Sequence, residues 1–420
     1  MNIPAEPQTI LLLKNALPYW CAQFPFACLL ASCGQASALH HDTYEFFAGV
    51  AHENARVFKS VKEAEQYNGL KFGYLSYEYN HTFHGLDSKK ERRSGFDACM
   101  FFVPEITIAL RKGSRELEIT GAGEDIISEI LHAGKTMHEK SPVTLHPQVT
   151  KEQYIQTVNT LKERIADGDF YEINYCMNFS GQATALNPAE VFEKLVSISP
   201  TPFASLFRHH NAWLLCASPE RFLKKSGNRL LAQPIKGTIS RGKTPLEDEM
   251  HKWQLNHSEK ERAENVMIVD LMRNDLARCC KTGSVTVDEL FGVYPFSTVH
   301  QMISSISGEL KPDSTLHEII EKTYPMGSMT GAPKREVMHA IDEYEPVSRE
   351  LFSGSVGYID ADNDFDFNVV IRSILWNAET SFLSVYAGSA ITYDAEAAKE
   401  YDECLLKAAT MFRVLDIKNL

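Results

Sequence analysis

Most of the strand-like stretches in the second half of this chain follow one another with no regular helix between them. "INYCMNFSGQA", "AWLLCASP", "RLLAQPIKG", "LFSGSVGYID", "FNVVIRSILWN" and "FLSVYAGSAITY" read as strands. A parallel βαβ sheet needs a crossover of a dozen or more residues between neighbouring strands. The order found here instead predicts antiparallel sheets with helices on their outer faces, an α+β fold. The helices are "AEVFEKLVSI", "EKERAENVMIVDLMRNDLARCC", "APKREVMHAIDEYE" and "EAAKEYDECLLKAATMFRVL". Earlier in the chain "FACLLAS", "KFGYLSYEY" and "DACMFFVPEITIAL" also read as strands, the last with a proline that suggests an edge or a bulge.

A composition break at "EKSPVTLHPQVTKEQY" (139–154) divides the chain into a region 1–145 and a larger region 146–420. Thr150-x-x-Gln153 then forms a capping box. Tyr154, Val158, Leu161 and Ile165 make one apolar helical stripe, and Asp167-Gly168-Asp169 stops it.

The 420 residues carry a formal net charge of -13, which argues against nucleic acid as the main partner. Small anions stay open, because a site can be locally positive on an acidic protein. The 9 cysteines are odd in number and show no paired CxxC spacing, so reduced thiols in a cytoplasm are expected. "MNIPAEPQTI" lacks the features of a signal peptide, and "FPFACLLASC" is too short to span a bilayer, so no membrane role is expected.

Several residues could carry chemistry. Lys236 lies in "AQPIKGT", between a proline and a glycine, and reads either as a turn lysine facing water or as a reactive amine. Glu261 and Glu264 share a helix face, and Glu400 and Glu403 repeat that spacing with Lys407 one turn on. An ExxE pair is most often a solvated face; if both faces meet, four carboxylates converge and need a hard cation such as Mg²⁺. "PMGSMTGAPK" (325–334) runs a glycine-interrupted loop into a helix, with Pro333 fitting N1 and Thr330 or Ser328 able to cap. Its free N–H groups would suit an anion. Glu220 in "SPERF" and Lys236 could pair as acid and nucleophile, or simply as a structural ion pair. Arg372, inside an apolar run, needs an anionic partner from protein or ligand.

Together, "SPERF", "PIKGT", "KERAENVMIVDLMRNDL", "GSMTGAPK", "GSVGYID", "VVIRSI" and "AGSAITYDAEAAKEYDECLLKA" resemble the chorismate-utilising enzymes. That family includes anthranilate synthase large subunits, aminodeoxychorismate synthases, and isochorismate and salicylate synthases. The resemblance runs from about Thr150 to the end and extends more weakly to the N-terminal region through "LLAS" and "FGYLSYEY". It implies two large, packed antiparallel sheets with helices outside. It also implies Mg²⁺ held by Glu261, Glu264, Glu400 and Glu403, binding the ring carboxylate of chorismate. Thr238, Gly237, Gly331, Gly388 and Lys407 would contact substrate, Tyr358 and Arg372 would hold the enolpyruvyl carboxylate, and Glu220 would protonate the departing C4 hydroxyl. That acid must be kept protonated by burial.

Within the family, lysine in place of the alanine of Pro-Ile-Ala-Gly-Thr resembles the branch that aminates chorismate at C4, where the amine is thought to add at C2 before ammonia enters at C4. A metal and desolvation would lower the pKa of Lys236 and free its amine. Isochorismate synthases place a water-activating lysine where Glu172 stands. Anthranilate synthases place a histidine where Gln301 stands, with His300 on the opposite strand face. "LLES", linked to tryptophan binding, reads Leu29-Leu30-Ala31-Ser32, which removes a charged partner for an amino group; Ala390 replaces a common glycine. The resemblance thus implies a subunit that takes ammonia from a glutamine amidotransferase. An anthranilate synthase and a non-catalytic chorismate binder are the alternatives.

Overall fold

The computed structural model describes residues 1–33, 43–86, 88–134 and 142–417, so the first residues of the 139–154 break lie outside the described residues. Two antiparallel sheets, one of 12 strands and one of 10, form the frame. Their facing sides enclose one core, with Phe47, Phe207 and Leu214 from the larger sheet against Phe72, Phe101 and Leu223 from the smaller. A second core lies between the outer face of the larger sheet and helices Pro7–Cys21, Lys151–Ala166, Pro188–Ile198 and Ala397–Val414. This is the expected α+β architecture of two packed sheets with helices outside.

The capping box starts helix Lys151–Ala166 as expected: Gln153 N–H donates to Thr150 Oγ1 at 3.2 Å and Thr150 N–H to Gln153 Oε1 at 2.8 Å. The sequence boundary at 145/146 is a change of composition that both sheets run across. Strand Phe26–Ala31 pairs with Phe203–His209, and Lys71–Leu75 pairs with Ser355–Ile359.

Three long apolar runs do not form the single strands their patterns suggest. "DACMFFVPEITIAL" gives Cys99–Phe102 in the smaller sheet and Ile106–Arg111 in the larger, with Pro104 in the passage between. "FNVVIRSILWN" likewise splits into Phe365–Asn368 and Ser373–Asn377, one strand in each sheet. Arg372 sits just before the second strand with φ of 52°, not within a strand as expected. "RLLAQPIKG" breaks at Pro234 into Arg229–Gln233 and Ile235–Ser240, both of which pair with Val299–Glu309. Proline has no N–H to give a ladder, so the break falls there.

Candidate active site

Strand Glu172–Gln182 alternates with period two. Ile173, Tyr175, Met177 and Phe179 join the core under the helices, and Cys176 joins the core between the sheets. Glu172 therefore shares the inner face with Asn174 and Cys176. Lys236, on strand Ile235–Ser240 of the other sheet, reaches it: Lys236 Nζ donates to Glu172 Oε1 at 2.6 Å, with 11% and 3% of the side chains exposed. The lysine is thus no turn residue facing water.

The charge state differs from the expectation. Burial pulls the pKa of Lys236 down, but Glu172, Glu264 and Glu220 together outweigh it and hold the pKa above its ordinary value. The side chain rests as an ammonium. Asn265 Nδ2 donates to the Lys236 carbonyl at 3.4 Å, and Ser304 Oγ donates to Asn265 Oδ1 at 2.6 Å, which fixes the backbone beneath the amine.

Glu220 lies where the chain passes from strand Ala212–Ser218 to strand Arg221–Ser226, that is, from the larger sheet to the smaller. It is 4% exposed. Burial pushes its pKa up to about 7, against the opposing pull of a hydrogen bond from Ser328, the Ile235 amide and Lys236. A carboxylic acid with a pKa near neutrality can donate a proton at neutral pH.

The acidic pairs come together from two helices. Ser258 caps helix Glu259–Cys279, which carries Glu261 and Glu264 half-buried. Burial first, then mutual repulsion, pushes the pKa of Glu261 up, with Glu403 adding to it. Burial likewise raises Glu264, and Glu172 and Glu403 add to it against the pull of Lys236 and Lys260. On helix Ala397–Val414, burial and Glu403 raise Glu400, which accepts a hydrogen bond from Ser389. Burial also acts on Glu403, but Lys407, 2.6 Å away, brings it below the ordinary carboxylate range. Lys260 was not legible as part of the site. It lies 3.8 Å from Glu264 and acts on Glu261, Glu400 and Glu403 as well.

Among the described residues no three carboxylate, imidazole or thiolate side chains form a preassembled coordination group. The donor chemistry nevertheless fits a hard divalent cation: oxygen ligands only, carrying an excess of mutually repelling negative charge.

The remaining candidates divide. Gly237 has φ of 97°, and a Cβ there would stand 3.0 Å from Glu261 Oε2. Thr238 is exposed and opposite Gln301 in the ladder. Gly331 pairs with Ile173, and Gly388 with Cys176; Lys407 Nζ donates to the Gly388 carbonyl at 2.8 Å. Arg372 is half-buried, and burial lowers its pKa against the pull of Glu403. Tyr358 stands apart from the group. It lines a cleft between the sheets with Leu30, Ala31, Ser32, Arg221 and Asp366, beside Tyr44 and Phe47. The "LLAS" segment and Tyr358 therefore share a second cleft rather than the acidic centre.

The loop before helix Lys334–Tyr344 also departs from expectation. Pro333 occupies the cap position itself, and no side chain caps the helix. Thr330 Oγ1 donates to the Met326 carbonyl at 3.0 Å. Gly331–Ala332 forms a short strand on Glu172–Gln182, so part of the loop's hydrogen-bonding capacity goes to the sheet. Lys334 binds Asp275 Oδ2 at 2.5 Å and the Thr323 carbonyl at 3.0 Å. His300 Nε2 lies 2.9 Å from Asp248 Oδ1, opposite Ile239 in the ladder.

The profile of the family described as chorismate binding enzyme matches residues 19–413. The probable chloroplastic aminodeoxychorismate synthase of Oryza sativa subsp. japonica is 41% identical over 271 residues, covering 64% of this chain and 30% of that protein. Aminodeoxychorismate synthase component 1 of Bacillus subtilis (strain 168) is 37% identical over 270 residues, covering 64% of this chain and 57% of that one. The chain thus matches only a part of each relative's length. Anthranilate synthase component I from Streptococcus pneumoniae TIGR4 has the same fold, with a TM-score of 0.73, 22% identity, and 92% and 89% of the two chains covered.

Proposed function

The chain belongs to the chorismate binding enzymes, and from that premise we propose that it aminates chorismate at C4, giving 4-amino-4-deoxychorismate for 4-aminobenzoate and folate synthesis. The observation that carries this reading is the meeting of Lys236 with Glu220: a buried amine beside a buried acid whose pKa is pushed up to about 7. Lys236 is the nucleophile at C2 and Glu220 the acid that protonates the departing C4 hydroxyl. Relatives named aminodeoxychorismate synthase in rice and Bacillus support the choice of C4.

Glu261, Glu264, Glu400 and Glu403 would hold Mg²⁺, which would supply positive charge to the ring carboxylate. The main chain at Gly237, Gly331 and Gly388, with Thr238 and Lys407, lines the substrate. Arg372 takes the enolpyruvyl carboxylate; Tyr358, in the other cleft, has no part in this. Ammonia comes from a glutamine amidotransferase subunit, and the reaction is cytoplasmic. Among the described residues no helix is long and apolar enough to cross a membrane.

Product analysis tests the reading. The purified chain is incubated with chorismate, Mg²⁺ and ammonium, with and without an aminodeoxychorismate lyase. 4-Aminobenzoate that forms only with the lyase supports amination at C4. Anthranilate formed without the lyase would replace the reading with amination at C2.

A further inference from the structure

We propose that Glu172 is the proton acceptor that turns the Lys236 ammonium into an attacking amine and returns the proton when the lysine is expelled; this rests on the chorismate-amination reading above. Lys236 faces Glu172 from strand Glu172–Gln182, Glu220 from the sheet crossing, and Glu264 from helix Glu259–Cys279. Its charge also reaches Glu261 and, on helix Ala397–Val414, Glu403. An amine held among so many carboxylates rests protonated and cannot attack carbon. Something within the site must take the proton.

Glu172 is the group placed to do so. Its Oε1 lies 2.6 Å from Lys236 Nζ, hydrogen-bond distance for a direct transfer. Its Oε2 is buried with no hydrogen-bond partner. A purely structural carboxylate in a buried pair ordinarily has its remaining lone pairs satisfied. Glu220 is unsuited to the task, because burial keeps it in the acid form that the leaving group requires.

The proton balance closes. Lys236 passes one proton to Glu172, leaving a neutral amine and a neutral acid. The amine lone pair forms the N–C2 bond, the ring double bond shifts from C2–C3 to C3–C4, and the C4–O bond breaks. The hydroxyl leaves as water with the proton of Glu220. The adduct is a secondary ammonium. Ammonia then bonds to C4, the double bond returns to C2–C3, and Lys236 departs as a neutral amine. Glu172 returns its proton to Lys236, and solvent reprotonates Glu220. No external base is needed for the nucleophile.

The test compares Glu172→Gln, Glu172→Asp and Lys236→Ala for ammonia-dependent formation of 4-amino-4-deoxychorismate across pH, with chorismate binding measured separately. Glu172→Gln should lose about 10²-fold in kcat near neutral pH with little change in KM. Its kcat should acquire a rising alkaline limb, because the lysine proton must now leave to solvent. Glu172→Asp, which keeps an acceptor, should lack that limb. A Glu172→Gln protein with wild-type kcat and profile overturns the inference, as does a loss of rate with no new limb. The same limb in Glu172→Asp overturns it too. Lys236→Ala separates the two levels. If it aminates chorismate undiminished, the nucleophile reading fails and takes this inference with it; if it is inactive while Glu172→Gln behaves as wild type, only the role of Glu172 falls.

Discussion

The carbonyl of Glu220 accepts a hydrogen bond from the amide of Val369 at 3.0 Å, at the point where both segments leave one sheet for the other. The same crossing is closed on its other side by the Ala217 amide, which donates to the Arg372 carbonyl at 3.0 Å. Strands Ala212–Ser218 and Ser373–Asn377 pair in the larger sheet, and their continuations Arg221–Ser226 and Phe365–Asn368 pair in the smaller. The two crossings therefore travel as one antiparallel unit. It places the proposed acid and the proposed carboxylate-binding arginine at the seam between the sheets, on backbone held from both sides.

Glu220→Gln removes the proton donor and preserves the shape of the side chain. Activity should fall by about 10²- to 10⁴-fold with chorismate binding retained. Because the acid form is the working form and its pKa is about 7, wild-type kcat should decline as pH rises through neutrality. The linked stability runs the same way. Between the unfolded value near 4.5 and the folded value near 7, the native state keeps a proton the unfolded chain has lost, so stability falls as pH rises across that window. A pH–rate profile and thermal melts check both; a melt that strengthens from pH 4.5 to 7 in wild type and not in the variant would contradict the assignment.

Glu261, Glu264 and Glu400 have pKa values raised by burial and by their neighbours' charge, so a bound divalent cation should relieve repulsion stored in the fold. Millimolar Mg²⁺ should raise Tm, by more at about pH 8 than at about pH 5, since protonated carboxylates bind it poorly. Glu264→Gln should lose the Mg²⁺ response and raise Tm in chelator, because one repelling charge is gone. Differential scanning fluorimetry measures both effects, and an unchanged Mg²⁺ shift in the variant would remove Glu264 from the ligand set.

Helix starts were readable from the sequence because caps are local: Thr150 with Gln153 fixes its helix within four residues. The sheet crossings were not. In "FNVVIRSILWN" and "DACMFFVPEITIAL" both sheets bury apolar residues, so the pattern stays hydrophobic through the passage and gives no sign that the chain has changed layers. The positive φ of Arg372 is a consequence of that passage. Motif order brought Lys236, Glu220 and the acidic pairs onto the right candidate list. The ion pair of Lys236 with Glu172 joins residues 64 apart in sequence and required the fold. So did the separation of Tyr358, which shares a motif string with catalytic neighbours but points into the other cleft.

Gly237→Ala tests how closely the lysine strand approaches the acidic helix. The glycine has φ of 97°, and an added methyl carbon would stand 3.0 Å from Glu261 Oε2, 3.2 Å from Leu255 Cδ1 and 3.3 Å from Met302 Cβ. Backbone strain in this region costs about 1–3 kcal/mol, and the contact with Glu261 would shift a proposed metal ligand. The variant should melt lower and lose much of its kcat. Full activity would mean that the strand has room the packing denies.

Arg349 carries the last prediction, one that no motif announced. It is 1% exposed. Its guanidinium donates to Glu345 Oε2 at 2.8 Å, to the Met329 carbonyl at 2.7 Å and to the Asn174 carbonyl at 2.7 Å. Glu345 Oε1 in turn accepts from the Cys176 amide at 2.9 Å. The pair thus ties the "GSMTGAPK" loop to the strand that presents Glu172. Arg349→Ala strands a buried carboxylate and should cost about 3–5 kcal/mol. Arg349→Lys keeps the charge but cannot span Glu345 and both carbonyls at once, because an ammonium lacks the planar fork. It should fold with reduced stability and a raised KM for chorismate as the loop loses its tether. Urea melts and steady-state kinetics on the lysine variant decide the matter: wild-type KM would show that the loop holds its place without this arginine.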